Sequence, residues 1–338
     1  MLFVAKVHEI SRSSTMLRFV ASPFLIEINS RLPRTNFLLV SAEALRHDPE
    51  SLMATHDTIV VGASAGGVQA LTELVNGLAP DLPAAVLIVL HVSADVPSYL
   101  PSILSRDARL PVAHAVEGED IITGRVYVAP PDHHLLIERR YIRIVHGPKE
   151  NLHRPSIDAL FRSAARWAGP RTIGVVLTGA RDDGAAGMYA IKQRGGISIV
   201  QDPAEASFPS MPLSVMQRMQ VDYSLRLADI APLLNKLSRQ PADEEGRYPV
   251  PEEVDIEARI AQQDMDSEEL IASVERLGKV SKLTCPDCNG ALGDEQCRHA
   301  APSLSRPAMP IRPTAWAMAR TTCLKLRYGP LSLPLRSR

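Results

Sequence analysis

Short apolar runs separated by polar or glycine-bounded segments recur through the middle of this chain. Thr58, Ile59, Val60 and Val61 lead into Gly62-Ala63-Ser64-Ala65-Gly66-Gly67, after which Val68, Leu71, Leu74 and Val75 recur at helical spacing. That order predicts a buried strand, a tight turn and a helix. The alternation continues to about Leu237, with strands expected over 58–61, 85–90, 125–129, 135–138, 142–145, 173–177, 198–200 and 222–224. Helices are expected over 67–78, 98–105, 156–167, 184–194 and 227–237. Strand and helix in turn is the pattern of an α/β fold, a doubly wound, mostly parallel sheet with helices on both faces. Three short alternating runs between Arg125 and Val145 lack a helical spacer, so a small antiparallel β-meander is expected there.

The flanks read differently from this predicted domain at 57–237. In residues 1–55 apolar runs are cut by Lys6, Arg12, Arg18, Glu27, Arg31 and Arg34 before a signal-peptide core or a spanning helix can form. Met53 is a natural start just ahead of the first strand, so this segment is either an N-terminal extension or a product of start-site choice. Residues 238–280 read as an acidic linker. Positions 239–269 hold eleven acidic and three basic residues behind Pro241, Pro249 and Pro251, which predicts a solvated stretch, a short amphipathic helix and no core. Residues 281–338 begin with the pair Cys285 and Cys288. Past Glu295 they carry eight Lys/Arg, no acidic residue and six prolines, the composition of a disordered basic tail or of a shifted reading frame.

Composition narrows the classes. The 338 residues are 45% hydrophobic with a formal net charge of −1, which suits a soluble globular core and gives no reason to expect nucleic acid or an anionic membrane as partner. Four cysteines do not make a disulfide framework, and no segment reaches the apolar length of a membrane span, so the expected location is the cytoplasm. Cys285 and Cys288 resemble half of a zinc knuckle, yet Cys297, His299 and Cys323 do not supply the other half at conventional spacing. No metal or cofactor is therefore expected.

The candidate chemistry gathers at strand ends. Ser64 lies in the first strand-to-helix turn, where small neighbours allow a sharp bend and the hydroxyl projects past the carboxyl edge of the sheet. No Lys-Ser/Thr pair follows these glycines and no G-x-G-x-x-G is present, which disfavours a phosphate cradle. His91 ends the second apolar run and should emerge at the same edge, about 4.8 Å away on a neighbouring strand. Asp182 and Asp183 both precede Gly184 in a third strand–turn–helix segment, where either is an N-cap by default and either could orient a histidine. Serine, histidine and aspartate in that order differ from the Ser, acid, His order of α/β-hydrolases, so the triad would be a separate arrival at the same geometry.

The strings VVGASAGGVQAL, VLHVSADVPSYLPSIL, GRVYVAPPDHHLL, HRPSIDALFRSAA and VVLTGARDDGAAGM run in order across 57–237, and with them the chain resembles the catalytic domain of the chemotaxis protein-glutamate methylesterases. The resemblance implies a Ser64 nucleophile, a His91 base and Asp183, rather than Asp182, as the triad carboxylate. It also implies hydrolysis of glutamate γ-methyl esters, with glutamine deamidation at the same site, on a methyl-accepting chemotaxis receptor or related signalling protein; the alternative is a non-catalytic module of the same fold that binds a receptor or kinase partner. Three departures stand out. The 56 residues before Asp57 are too few for the receiver domain that such proteins usually carry, Ala180-Arg181 replaces the usual Met-Gly, and Leu90 replaces the usual glutamine. His133 and His134 read as a turn and strand start beside the cleft. Arg154 and Asp158 either pair or grip substrate, or else serve the start of the following helix at Pro155.

Overall fold

The computed structural model describes residues 16–21, 24–29, 54–243, 246, 248–277, 280–284 and 291–293. Two compact units are present, Met1–Leu52 and Met53–Arg338. In the first, β1 (Met16–Ala21) and β2 (Phe24–Asn29) pair antiparallel. The Cys285–Cys288 pair, most of residues 1–55 and everything after Gly293 lie outside the described residues, and so do the expectations placed on them.

The second unit runs β3 (Thr58–Ala63), α1 (Gly67–Asn76), β4 (Ala85–Leu90), α2 (Leu100–Leu104), β5 (Val112–His114), β6 (Val126–Val128), β7 (His134–Glu138) and β8 (Tyr141–Val145). It continues with α3 (Ile157–Trp167), β9 (Thr172–Val176), α4 (Ala185–Gln193), β10 (Ile197–Gln201), α5 (Ser210–Arg218), β11 (Tyr223–Leu225) and α6 (Leu227–Leu237). Beyond these lie α7 (Glu252–Gln262), α8 (Ser267–Leu277), β12 (Val280–Thr284) and β13 (Ala291–Gly293), the last two paired antiparallel.

Seven strands form one parallel sheet in the order β11-β10-β9-β3-β4-β6-β5. β-branched residues favour the pleat, and every residue of β3 and β4 is buried, as strands covered on both faces must be. Their side chains alternate between two cores. Ile59, Val61, Val86 and Ile88 face the layer that includes Leu71 and Leu74 of α1 and Ile230 and Leu234 of α6. Val60, Leu87 and Val89 face the layer with Leu160 and Phe161 of α3 and Met188 and Ile191 of α4. The chain leaves β3 toward β4 on one side and returns to β9 on the other, so the switch point of the winding falls at β3, where such sheets place their sites.

The fold is the doubly wound α/β arrangement that the alternation predicts. The antiparallel addition over 125–145 is a two-stranded hairpin of β7 and β8, and its expected first run is instead β6, which joins the parallel sheet beside β4. Within 57–237, β5 and α5 gave no legible pattern. β5 is a three-residue edge strand, too short to show alternation, and the first turn of α5 carries Pro212 behind Pro209, where proline costs a helix no internal hydrogen bond.

The acidic stretch needs correcting. It contains two helices, and α7 buries Val254, Ile256, Ala258 and Ala261, with Val254 in the α3–α4 core. Charge count alone implies solvation, but two of its acids pair with arginines on α3: Arg162 Nε meets Glu257 at 3.2 Å, and Arg166 Nε meets Asp255 at 2.8 Å.

Candidate active site

β3 and β4 pair in register with Ala63 opposite Leu90, so the next residues, Ser64 and His91, leave the sheet side by side. The His91 amide still donates to Ala63 O at 3.2 Å, which fixes where its side chain starts. On the other flank, the Ser64 amide donates to Thr178 O at 3.0 Å, binding the serine turn to the turn after β9. The Thr178 hydroxyl donates to Ala65 O at 3.1 Å and accepts from the Phe208 amide at 2.9 Å, so one threonine joins three loops.

Two glycines make this approach possible. Gly66 has φ of 74°, a left-handed conformation that lets the chain turn from β3 into α1. A Cβ on Gly179 would lie 2.0 Å from Met211 Sδ and 3.0 Å from Ser64 Cβ, so only glycine lets the β9 turn lie this close to the serine. Among the described residues the amides of Ala65 and Ala180 donate to no protein acceptor, and both flank the Ser64 turn.

Ser64 Oγ lies 3.0 Å from His91 Nδ1, and His91 Nε2 lies 2.8 Å from Asp183 Oδ2. With Asp183 accepting the Nε2 proton, Nδ1 keeps the lone pair that accepts from the serine hydroxyl. Asp183 is 1% exposed and sits against the start of α3. It accepts from the amides of Ile157 at 2.8 Å, Asp158 at 3.1 Å and Gly184 at 3.1 Å, from Ser156 Oγ at 3.0 Å and from Asn151 Nδ2 at 2.6 Å. The unpaired amides of a helix N-terminus favour an anion, and here they hold both carboxylate oxygens. Asp182 makes none of these bonds; its Oδ2 lies 3.8 Å from Arg218.

The neighbouring candidates take structural places. Arg154 and Asp158 do not pair: Arg154 forks onto Asp132 at 2.9 and 2.7 Å and reaches Gly147 O at 2.6 Å. Those hydrogen bonds hold the Asp132 carboxyl below its ordinary range. Asp158 accepts from the Gly184 and Gly187 amides at 3.0 and 2.7 Å, capping α4 from across the core. His134, fully buried, accepts from the Ser156 amide at 3.2 Å and donates to Pro148 O at 2.9 Å. Burial pushes its imidazole below the ordinary value. His133 bonds Pro131 O at 3.0 Å, and among the described residues no His, Cys, Asp and Glu gather as a metal site.

Sequence reasoning did not single out Asn151, His153, Ser156 or Thr178. Three of these fall in the polar run Glu150–Ser156 just ahead of α3, between a hairpin and a fully buried helix start, and a polar run led into the core has to satisfy something there. The His153 ring lies face to face on His91, with centroids 3.6 Å apart and planes 9° from parallel.

Residues 59–234 match the CheB methylesterase family. A Leptospira interrogans relative is 40% identical over 185 residues, covering 54% of this chain and 96% of that protein. The protein-glutamate methylesterase/protein-glutamine glutaminase 3 of Geobacter metallireducens is 36% identical over 199 residues, 57% of this chain and 56% of that longer protein. The crystal structure of the Thermotoga maritima CheB methylesterase catalytic domain superposes with a TM-score of 0.52 at 31% identity, covering 54% of this chain and 98% of that one. With the family's span falling on the sheet and on all three strand-end residues, this chain belongs to the CheB methylesterase family.

Proposed function

We propose that this protein hydrolyses glutamate γ-methyl esters on a chemoreceptor-like signalling protein, with Ser64 as nucleophile, His91 as general base and acid, and Asp183 as the group that orients the imidazole. The observation that carries the reading is the continuous path from Ser64 Oγ through both ring nitrogens of His91 to Asp183, at 3.0 and 2.8 Å. Ser64 Oγ attacks the ester carbonyl as its proton passes to His91 Nδ1. The tetrahedral oxyanion is met by the amides of Ala65 and Ala180, each such donor being worth on the order of 10²- to 10³-fold in rate. His91 then returns the proton to the departing methoxide, giving methanol and an acyl-serine. Water repeats the sequence from the same side, with its proton taken by Nδ1 and delivered to Ser64, leaving a free glutamate. Attack on a glutamine side-chain amide by the same steps releases ammonia instead, which fits the double activity in the name of the Geobacter relative.

The ring is turned so that Nδ1, not Nε2, serves the serine, the reverse of the familiar protease arrangement. Proton transfer needs only that one nitrogen accept while the other donates to a fixed carboxylate, so the chemistry is unaffected. The test is methanol release from a chemoreceptor cytoplasmic fragment bearing methylated glutamates. Ser64→Ala and His91→Ala should each lower kcat by about 10⁴-fold or more with the fold intact. Undiminished release by Ser64→Ala would overturn the mechanism.

A further inference from the structure

The turn that carries His153 is strained and anchored at both ends. Glu150 and His153 exchange backbone hydrogen bonds of 2.7 and 3.0 Å, and the two residues between them, Asn151 and Leu152, both have left-handed φ of 49° and 70°. Asparagine tolerates that region, but leucine there is costly, and backbone held in such a state is held by its surroundings. Behind the turn, the buried Arg162 grips both oxygens of Glu150 at 2.7 and 2.6 Å. In front, Asn151 spans the two buried carboxylates Asp183 and Asp158 at 2.6 and 2.7 Å. His153 follows directly and lies flat on His91.

The two hydrogen bonds of His91 lie in its ring plane and leave the ring able to rock out of that plane. A flat partner 3.6 Å away opposes such rocking. It also offers a π face to the imidazolium that forms when His91 takes the serine proton, an attraction that strengthens where water is excluded. We infer that His153 is a positioning residue of the reaction, its neutral ring holding the His91 imidazole in plane and stabilising it in the charged form. This rests on the assignment of His91 as the base.

His153 is suited to the part only while uncharged, since a second imidazolium would repel the first. Burial, with the adjoining His91, Arg181 and Lys149 acting in the same direction and Asp183 opposing, pushes its pKa down to about 4. Those groups come from the end of β4, from the β9–α4 turn and from the residue ahead of the strained turn, and together they leave His153 neutral at ordinary pH.

The test uses the full chain and the same methylated receptor fragment, with Ser64→Ala run alongside His153→Phe, His153→Leu and His153→Ala. His153→Phe keeps a flat aromatic face and should stay within about 3-fold of the native kcat, whereas His153→Leu, which fills the space without a face, should fall about 10-fold at unchanged KM. His153→Ala should fall at least as far as leucine; a thermal melt reports whether it remains folded, and the phenylalanine and leucine comparison decides the question if it does not. Leucine and phenylalanine variants of equal activity, or a native kcat in His153→Ala, would overturn the inference while an inactive Ser64→Ala left the triad standing. An active Ser64→Ala would remove both.

Discussion

At least six donors among the described residues converge on the Asp183 carboxylate, and one of these belongs to His91. The residue therefore fixes the start of α3 as well as the imidazole. Asp183→Asn would place an amide NH₂ against N–H groups that need an acceptor, so two losses are expected together. The rate of ester hydrolysis should drop by up to about 10⁴-fold, and the urea midpoint should fall by the equivalent of about 1–3 kcal/mol. A variant with full stability and low activity would confine the carboxylate to orienting the histidine. Asp182→Asn, whose partner stands 3.8 Å away near the surface, should stay within about 0.5 kcal/mol of native stability. Residue types and strand ends were enough to place Ser64 beside His91, because a parallel sheet brings its carboxyl ends to one edge. They could not separate Asp182 from Asp183. Which of two adjacent carboxylates faces inward depends on the left-handed backbone at Arg181 and Gly184, which no hydrophobic pattern records.

At the level of elements, the long amphipathic and fully buried segments were legible, α3 among them, but the depth of a segment whose burial rests on charge pairing was not. α1 buries Leu71, Leu74 and Val75 on the spacing visible in the sequence, whereas Val68, which shares that spacing, is exposed and Ala70 takes the buried place instead. α3 is different: Arg162, Ser163 and Asp158 are buried beside its apolar residues, so its periodicity understates how deeply it sits. Their partners lie outside the helix, in the hairpin, in the strained turn just ahead of it, at the start of α4 and on α7. Arg162 joins the turn and α7, contacting both Glu150 and Glu257. Arg162→Ala removes the cation from a buried pair and is expected to cost about 3–5 kcal/mol, measured by urea denaturation. It should also lower kcat more than KM, because Asn151 and His153 ride on the turn that Glu150 anchors. A loss of stability with kcat untouched would show that the turn keeps its shape without Arg162.

The whole molecule carries a bias against acid. His56, His134 and His153 all have pKa values pushed below 6.5, with burial the first cause in each. A histidine depressed in the folded state binds its proton more readily when unfolded, so below about pH 6.5 the unfolded chain takes up protons that the native chain refuses. Stability is then unaffected by these groups above neutrality and is lost as pH falls from about 6.5 toward the folded values. Asp132, depressed by its bonds to Arg154, adds a loss of the same sign at lower pH. Melting temperatures recorded from pH 8 to pH 5 should hold level to about pH 7 and decline below it; a flat profile down to pH 5 would mean that these rings accept protons without disturbing their contacts. The sheet also divides the molecule into unequal ends. β3 is six residues long, about 20 Å at the usual rise per residue, and everything proposed to react lies past its carboxyl terminus. The loops that enter the strands at the opposite end stand a full strand length from Ser64. They are where this scaffold can accept insertions, fusions or new regulatory segments, and where its descendants are free to diverge while the reacting edge stays fixed.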